Sequence, residues 1–450
     1  MSIKFVSLLA EPLHSAYKEL CHSLKSEGYN LEFVDTDWQT AKQMLEEGDA
    51  HGGAVCGLLY THLRALGCNV HPLAVPTLDH PRYNDSPAYW TDVVVRAGSG
   101  IKNLEGVAEQ HWLYNEPGSL SGYHSLLAAL KKKKIEPNFS TTTETGSHEL
   151  SLNNLLTGSG DFTTLDSTFL DFQDAPIRSA VKVIESLGPY PPPLVVGHPR
   201  AFDFFYRVEQ LKSLPEPFLK FHKPDDADYD VVRELYNDSL STERRPTGQF
   251  FVNGAAAKGR DFTSPEQQQK DQEILAGIGR ELLTRLDQEP TEILRECRFH
   301  KLIHDGREHH HYLISPEELQ HGELCLVGFL SRMKDEVDIK ALFDVDAELL
   351  DQLGSYEGFI TYSPTEYEKG LWANLAVFRT PAHRNHWAAN SVHLQAIKDL
   401  GPSSYDNVRL HLGYWPSVEE PMEWVATRYL NYTDTGLWRG VRTPRVKCPS

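Results

Sequence analysis

The feature that most constrains the fold is an alternation of strand-like and helix-like segments over the first part of the chain. Segments such as 3–9 and 111–114 are short apolar runs of strand length. Segments such as 13–27 and 119–132 carry apolar residues at helical spacing instead. Alternation of this kind predicts an α/β domain with a mostly parallel sheet. In such sheets ligands lie at the carboxyl ends of strands, next to helix N-termini.

Charge and composition limit the partners. The 450 residues include 44 Lys and Arg against 63 Asp and Glu, which gives a net charge of −19. Binding to nucleic acid calls for clustered cations, so we expect no nucleic-acid partner. No run of about 18 apolar residues occurs, and Glu11 interrupts the N-terminal apolar run, so we expect neither a membrane partner nor a signal peptide. The six cysteines show no paired spacing, which favours reduced thiols and a cytoplasmic location.

Residues 112–124 join the end of a predicted strand to the start of a predicted helix. The strand ends at Tyr114, a Pro-Gly turn follows, and Ser119 and Ser121 stand where the helix begins. Free backbone N–H groups and small hydroxyls at a helix start form an anion site. The alternative is ordinary capping of the helix by Ser119.

Six motifs follow one another in order between residues 90 and 190. They are WTDVVVRA (90–97), SGIKNLEG (99–106), YNEPGSLSG (114–122), TGSHELSL (145–152), GSGDFTTLDS (158–167) and KVIESLGPY (182–190). As an ensemble, over residues 1–215, they resemble the phosphate/phosphonate substrate-binding family, which has the type II periplasmic-binding-protein fold. The resemblance implies two α/β lobes joined by crossing strands, with a small anionic ligand clamped between them.

The same resemblance implies a set of ligand-binding residues. Ser119 and Ser121 would hold an oxyanion, Tyr60 would come from the opposite lobe, and Asp166 could face a cationic part of the ligand. The eight candidates are Tyr60, Tyr114, Ser119, Ser121, Thr145, Ser147, His148 and Asp166. The usual members of the family are exported and feed a transporter. Since the chain shows no export signal, we expect this lobe pair to work inside the cell.

The second half follows a different plan. Residues 216–295 are predicted to form a helical connecting region, 296–432 a second domain, and 433–450 a tail. From residue 323 onward the predicted element order is βαββαβ, the ferredoxin-like plan. This order resembles the dimeric α+β barrel group, which includes small cofactor-free monooxygenases and haem-binding enzymes. The predicted fold is therefore an α/β two-lobed type II periplasmic-binding-protein-like domain followed by an α+β ferredoxin-like (dimeric α+β barrel) domain.

Histidine is over-represented, with 21 residues, and several cluster in the second half. Asp305-Gly306 is a hairpin signal that pairs His300 with His311 and Leu302 with His309. Alternation then puts His300, His309 and His311 on one face as candidate transition-metal ligands, together with His304. The alternative is a solvated hairpin face that happens to be rich in histidine.

Further histidines lie on a helix predicted over 381–400 and on the last predicted strand. His386 and His393 share one side of that helix, and His411 shares a strand face with Arg409. One of these histidines could serve as a general base or a haem ligand. The alternative is a surface histidine or a satisfied core histidine.

These patterns lead to one functional hypothesis and one rival. We expect an intracellular enzyme that binds a small anion in the N-terminal cleft. Its C-terminal domain would carry oxidoreductase or monooxygenase-like chemistry, with a transition metal or haem as candidate cofactor and a homo-oligomeric assembly. The rival is a non-catalytic binding or sensing protein whose C-terminal domain makes the oligomer. No P-loop, dinucleotide fingerprint or hydrolase triad order supports other enzyme classes.

Overall fold

A computed structural model describes residues 2–198, 203–240, 249–288, 299–304, 307–320, 322–433 and 436–446. The side chains of residues 299–304, 307–309, 339, 343 and 433 are outside that description.

The first half alternates strands and helices as the apolar periodicity predicts. Its strands are β1 (Ile3–Ser7), β2 (Leu31–Phe33), β3 (Gly52–Val55), β4 (His71–Leu78), β5 (Tyr89–Arg96), β6 (His111–Tyr114), β7 (Thr141–Glu144), β8 (Phe162–Asp166), β9 (Val181–Tyr190), β10 (Leu194–Gly197) and β11 (Phe218–His222). Its α-helices are α1 (Leu13–Ser26), α2 (Trp38–Glu47), α3 (Gly57–Ala65), α4 (Ser125–Lys132), α5 (His148–Thr157), α6 (Ser167–Leu170), α7 (Ala175–Ala180), α8 (Phe204–Val208) and α9 (Asp230–Ser239). Single turns of other helix types lie at Glu105–Val107, Leu120–His124 and Asp226–Tyr229.

Two sheets divide these strands into two lobes. The first sheet has the order β11-β4-β10-β3-β1-β2, and the second has the order β7-β6-β8-β5-β9. The chain passes from the first lobe to the second between β4 and β5, and returns between β9 and β10. Strands β6, β7 and β8 run parallel, while β5 is antiparallel to its neighbours. The predicted two-lobed fold is confirmed for this half.

The first unit extends beyond the predicted boundary at residue 215. Strand β11 pairs with β4 at the edge of the first sheet. Helix α9 packs against α3 of the first lobe and α4 of the second, and its Val232 is fully buried in the first lobe's core. Residues 216–239 therefore complete the lobes and do not connect two domains.

The second half is built on one large sheet. Its strands are β12 (Phe250–Phe251), β13 (Phe299–His304), β14 (Arg307–Leu313), β15 (Leu324–Met333), β16 (Phe359–Glu368), β17 (Leu371–Phe378), β18 (Tyr405–Trp415), β19 (Glu423–Thr433) and β20 (Gly436–Arg442). Its helices are α10 (Pro265–Gln288), α11 (Ile339–Leu353), α12 (Pro381–Ala388), α13 (Ser391–Asp399) and α14 (Gly401–Ser404), with short 3₁₀ turns at Asp261–Thr263 and Pro316–Gln320. The strand order is β12-β20-β19-β18-β15-β17-β16-β14-β13.

This sheet differs from the prediction in three ways. Among the described residues, the βαββαβ segment supplies four of the nine strands of this sheet, because hairpin β13–β14 extends one edge and β19, β20 and β12 extend the other. The predicted tail at 433–450 contains β20, which pairs with β19. The predicted helix 381–400 is broken at Asn390, whose side chain caps a new helix by accepting the N–H groups of Val392 and His393. Such local side-chain to backbone bonds compete with a continuous helix.

The two faces of the sheet are covered differently. Helix α10 packs Leu275, Ile278 and Leu282 against the buried residues Leu330 and Leu375 of one face. Helices α11 to α14 lie over the other face, whose apolar side chains are less completely buried. No helix among the described residues is both long and apolar enough to cross a membrane.

Candidate functional site

The helix start after β6 is the centre of the candidate site. Ser119 has extended backbone geometry, and its Oγ accepts the N–H of Gly122 at 2.9 Å. A single π-turn, Leu120–His124, then leads directly into α4. Helix geometry leaves the N–H groups of Leu120 and Ser121 without an acceptor in their own helix. The ordinary capping role of Ser119 and a free anion site are thus compatible.

Gly122 allows a neighbouring amide to approach this helix start. A Cβ at Gly122 would overlap the Asn115 side chain, so any other residue here would force Asn115 or the helix start to shift. The Gly122 carbonyl accepts a hydrogen bond from Thr164 Oγ1 at 2.6 Å. Asn115 is buried, and its Oδ1 has no hydrogen-bond partner among the described residues. The motif that carried the sequence resemblance includes Asn115, but sequence reasoning did not select it.

His148 joins Ser121 across the same lobe. It is the first residue of α5, and its Nε2 lies 3.2 Å from Ser121 Oγ. Burial lowers the pKa of His148 to about 4, so the imidazole is neutral near pH 7. Its Nδ1 is buried without a hydrogen-bond partner in the described part of the chain. Ser147 caps α5 by accepting the N–H of Leu150, which fixes the start of the helix and so the position of His148, its first residue.

Asp166 stands at the end of β8, next to β6 in the sheet. The parallel pairing of β6 with β8 brings the ends of both strands to the same edge. Asp166 accepts hydrogen bonds from the backbone N–H and the hydroxyl of Thr168, both at 2.7 Å. Burial nevertheless raises the pKa of Asp166 to about 7. This carboxyl is therefore poised between its neutral and ionised forms near neutral pH.

The first lobe meets this edge through the start of α3. Cys56 is the residue that caps α3. Burial, with smaller contributions from the charges of Glu116 and Asp166, raises the pKa of Cys56 to about 11. Both carboxylates are thus within electrostatic reach of α3 from the opposite lobe. Leu120 packs in the same apolar cluster as Leu58 of α3. Cys56 and Glu116 were missed by sequence reasoning, because their proximity depends on how the two lobes meet.

The hydroxyl of Tyr60 is engaged in a different contact. Its side chain is fully buried, and its hydroxyl donates to Asp226 Oδ1 at 2.5 Å. Asp226 in turn pairs with Arg233 of α9 at 2.7 Å. The structure therefore places Tyr60 in a buried network that anchors α9 to α3, and does not bring its hydroxyl to Ser119 and Ser121. Asp226 and Arg233 lie far from Tyr60 in sequence, so no local sequence pattern could predict the network.

Two further candidates, Thr145 and Tyr114, stabilise the loop that follows β6. Thr145 Oγ1 donates to the Tyr114 carbonyl at 3.0 Å and lies 2.6 Å from Ser151 Oγ. The Tyr114 ring packs 5.1 Å from Trp112 and 5.0 Å from Tyr123, measured between ring centroids. These contacts hold the end of β6 against the start of α5.

The histidine hairpin has the predicted register. His300 pairs with His311, Leu302 with His309, and His304 with Arg307. The side chains of His300, His304 and His309 lie outside the described residues, as do Asp305 and Gly306. His311 is buried, and its Nδ1 lies 2.8 Å from Ser363 Oγ. Within the described ranges, no group of three His, Cys, Asp or Glu side chains could hold a metal ion.

His411 belongs to a buried polar network. Its Nε2 donates to Asp271 of α10 at 3.1 Å, and its Nδ1 lies 2.9 Å from Thr427 Oγ1. Arg409 pairs with the same carboxylate at 2.5 and 3.0 Å. Burial lowers the pKa of His411, so the ring is neutral and accepts from Thr427. A histidine that is fully enclosed in this way holds α10 on the sheet and has no access to a substrate.

The other two histidines are separated by the break between α12 and α13. His386 is exposed beside the ring of Tyr356. His393 is partly buried and stacks on Trp387 with ring centroids 6.0 Å apart. They do not form a common site with His411, which lies on a strand face turned toward α10.

Comparison with known proteins supplies the context of this site. Residues 9–239, just over half of the chain, match a family model described as "ABC transporter, phosphonate, periplasmic substrate-binding protein". No curated protein matches the sequence.

Several solved structures are similar to the chain. A binding protein component of an ABC phosphonate transporter from Pseudomonas aeruginosa is 16% identical, with 53% of this chain and 86% of that one covered and a TM-score of 0.47. PhnD1 from Prochlorococcus marinus, solved in complex with methylphosphonate, is 14% identical over 52% of this chain and 96% of its own, with a TM-score of 0.44. A Candida albicans gene product with the generic periplasmic binding protein fold is 13% identical over 54% and 76%, with a TM-score of 0.35.

The family match corrects the functional hypothesis. Its members are described as substrate-binding proteins of transporters, so the prediction of an oxidoreductase with a metal or haem is wrong, and the rival hypothesis of a non-catalytic binder is favoured. The catalytic roles of His386, His393 and His411 are withdrawn with it. The same description is of a periplasmic component of a membrane transporter, which contradicts both the cytoplasmic location and the expected absence of a membrane partner.

Proposed function

Because the chain belongs to the family of periplasmic substrate-binding proteins of phosphonate ABC transporters, we propose that the cleft between its lobes binds a small phosphonate-like oxyanion. The observation that carries this proposal is the start of the helix after β6. There the Ser121 hydroxyl, two backbone N–H groups that have no acceptor in their own helix, and the neutral imidazole of His148 lie at one strand edge.

This site would hold an anion with neutral donors. Backbone N–H groups at a helix N-terminus carry partial positive charge, and hydroxyls can turn their protons toward an oxyanion. Hydrogen bonds to a charged acceptor contribute about 1.5–3 kcal/mol each. The net charge of −19 is therefore compatible with an anionic ligand, since the attraction is local.

His148 would respond to the charge of the ligand. Its pKa is low because the ring is buried without a carboxylate partner. A phosphonate dianion beside Ser121 would stabilise the protonated imidazole and raise that pKa. Nδ1 and Nε2 would then both be donors.

Asp166 would select the organic part of the ligand. An ionised carboxylate would repel the phosphonate oxygens, so Asp166 is suited to an amine or hydroxyl attached to the phosphonate carbon. Its pKa near 7 means that the carboxyl can accept from an ammonium group when ionised. We propose that Asp166 faces that end of the molecule.

The family description also suggests the partner. We propose that the two-lobed unit presents its ligand to the membrane components of an ABC transporter. Helix α9, which contacts both lobes, would hold their relative position until the ligand is released.

For the second half we propose a ferredoxin-like unit at the centre of the sheet. The strands of the βαββαβ segment lie in the order β18-β15-β17-β16, with every neighbouring pair antiparallel. This is the split arrangement expected of that plan. Homo-oligomer formation through this half stays a prediction.

The test is isothermal titration calorimetry with methylphosphonate, inorganic phosphate and methanesulfonate. We expect methylphosphonate to bind with one site per chain, and the double variant Ser119→Ala with Ser121→Ala to lose most of that affinity. Ser179→Ala, an exposed serine on α7, is the matched control and should bind like the unsubstituted protein. Equal affinity in the double variant and the control would refute the site.

A further inference from the structure

The second half supplies most of the lining of a large cavity, which shares no lining residue with the candidate site of the first half. Its volume is about 1300 Å³, and it lies between the sheet and helices α11 to α14. Part of its wall comes from the first lobe, through α2 and the residues that follow α3. Ligand pockets typically measure about 300–1,000 Å³, so this cavity has room for an organic molecule of substantial size.

The walls of the cavity are mainly apolar. Phe329, Trp372 and Leu410 project from three adjacent strands, and Leu349 and Trp387 face them from α11 and α12. The three strand residues are only partly buried, whereas Leu330 and Leu375 on the other face of the same strands are completely buried. The helices thus leave apolar surface of the sheet uncovered inside the protein.

One end of the cavity carries two arginines that have no carboxylate partner in the described part of the chain. Arg384 of α12 is 6% exposed and bonds Asn385 Oδ1 at 3.1 Å and the Gly67 carbonyl at 3.5 Å. Arg428 of β19 donates to the Ala65 carbonyl at 3.1 Å. Among the described residues, neither guanidinium has a carboxylate oxygen within 4.0 Å.

The buried position of Arg428 is unfavourable for its positive charge. Burial, with a smaller contribution from the nearby charge of Arg384, lowers the pKa of Arg428 to about 10. Buried charges in proteins are normally paired, because an unpaired charge in a low-dielectric interior is costly. Carbonyl oxygens satisfy some of the N–H groups here and leave the positive charge uncompensated. Lys42 and Glu46 at the same end form an ion pair with each other, so they contribute no net charge.

We propose that this cavity binds an organic carboxylate with an apolar chain or ring. The carboxylate would lie between Arg384 and Arg428, where planar guanidinium groups match its two oxygens. The apolar body would extend over Phe329, Trp372 and Leu410 and complete the burial of that sheet face. The site is separate from the phosphonate cleft, so it would give the chain a second ligand of a different chemical class.

The test compares decanoate with decanol by isothermal titration calorimetry on the full chain. The two molecules share the apolar body and differ in the head group. We expect decanoate to bind at least tenfold more tightly than decanol, and Arg384→Gln with Arg428→Gln to remove that preference while decanol binding persists. Arg379→Gln is the matched control, because Arg379 pairs with Glu318 outside the cavity.

Further arms distinguish this site from the cleft and from a folding defect. Leu410→Trp should narrow the part of the cavity where the apolar body lies and weaken binding of both molecules, and saturating methylphosphonate should leave decanoate binding unchanged. If the arginine variants do not fold, the preference of the unsubstituted protein for decanoate over decanol decides. Equal affinity for the two, no binding of either, or a preference that survives in folded arginine variants would overturn the proposal.

Discussion

Replacing Gly122 by alanine adds one methyl group at the most crowded point of the candidate site. In the structure that methyl would overlap the Asn115 side chain. The backbone cannot easily move away, because the Gly122 N–H is held by Ser119 Oγ at 2.9 Å and its carbonyl by Thr164 Oγ1 at 2.6 Å. Either Asn115 is displaced or the helix start shifts, and both changes alter the site that would receive the anion.

The free-energy cost of Gly122→Ala can be estimated from known effects of overpacking. Forcing extra methyl groups into a packed site costs about 1–3 kcal/mol. If the cost falls on the binding geometry, methylphosphonate affinity drops roughly 5- to 150-fold, at about 1.4 kcal/mol per tenfold change. Alanine is otherwise a better helix former than glycine by about 1 kcal/mol, so without the overlap Gly122→Ala would stabilise the protein. The sign of the change in unfolding free energy is therefore diagnostic.

The assay is calorimetric titration with methylphosphonate, combined with urea unfolding of each variant. Gly118→Ala is the matched control, because a Cβ at Gly118 in the same loop meets no atom within 4 Å. We expect Gly118→Ala to bind and unfold like the unsubstituted protein, and Gly122→Ala to be impaired in binding, stability or both. If Gly122→Ala is indistinguishable from Gly118→Ala, the close packing of Asn115 on the helix start is not part of the site.

Three further predictions concern buried polar groups. Since burial raises the pKa of Asp166 from 3.8 to about 7, the folded state retains a proton that the unfolded state releases, so the unfolding free energy should fall as pH rises from 4 to 7. Asp166→Asn should lack this fall in urea unfolding, and parallel pH dependences of the two proteins would contradict the prediction. Asp271→Asn leaves the buried Arg409 unpaired and should lower the free energy of unfolding in urea by about 3–5 kcal/mol, with methylphosphonate affinity retained. A loss below about 1 kcal/mol would be inconsistent with a buried ion pair. Tyr60→Phe removes a hydrogen bond to Asp226 and should lower stability by about 1–3 kcal/mol without changing methylphosphonate binding; a selective loss of binding would return Tyr60 to the cleft.

The first half was predictable because its signals are local. Apolar periodicity located the strands and helices on either side of the Ser119 turn, and the helix start at Ser119 follows from residues within one turn of each other.

The register of the histidine hairpin was also predicted correctly, because a two-residue turn fixes which residues face each other. These inferences needed no knowledge of tertiary contacts.

The buried networks were not predictable for the opposite reason. Tyr60 meets Asp226 across 166 positions of sequence, and Asp271 meets His411 across 140. A histidine on a strand face has the same sequence pattern whether it faces a ligand or a buried carboxylate. The surplus of histidine therefore suggested catalysis in a region where His411 is part of a buried structural network. The role of each polar residue there is clear only once its partner in the folded chain is known.

A crystal structure of the protein with methylphosphonate would show directly where the ligand binds. We expect the phosphonate group at the helix start after β6, with its oxygens about 2.7–3.2 Å from the backbone nitrogens of Leu120 and Ser121 and near the Ser121 hydroxyl. His148 should lie within hydrogen-bond reach of the same group. Methylphosphonate bound elsewhere, or no ligand at this helix start at saturating concentration, would refute the proposed site.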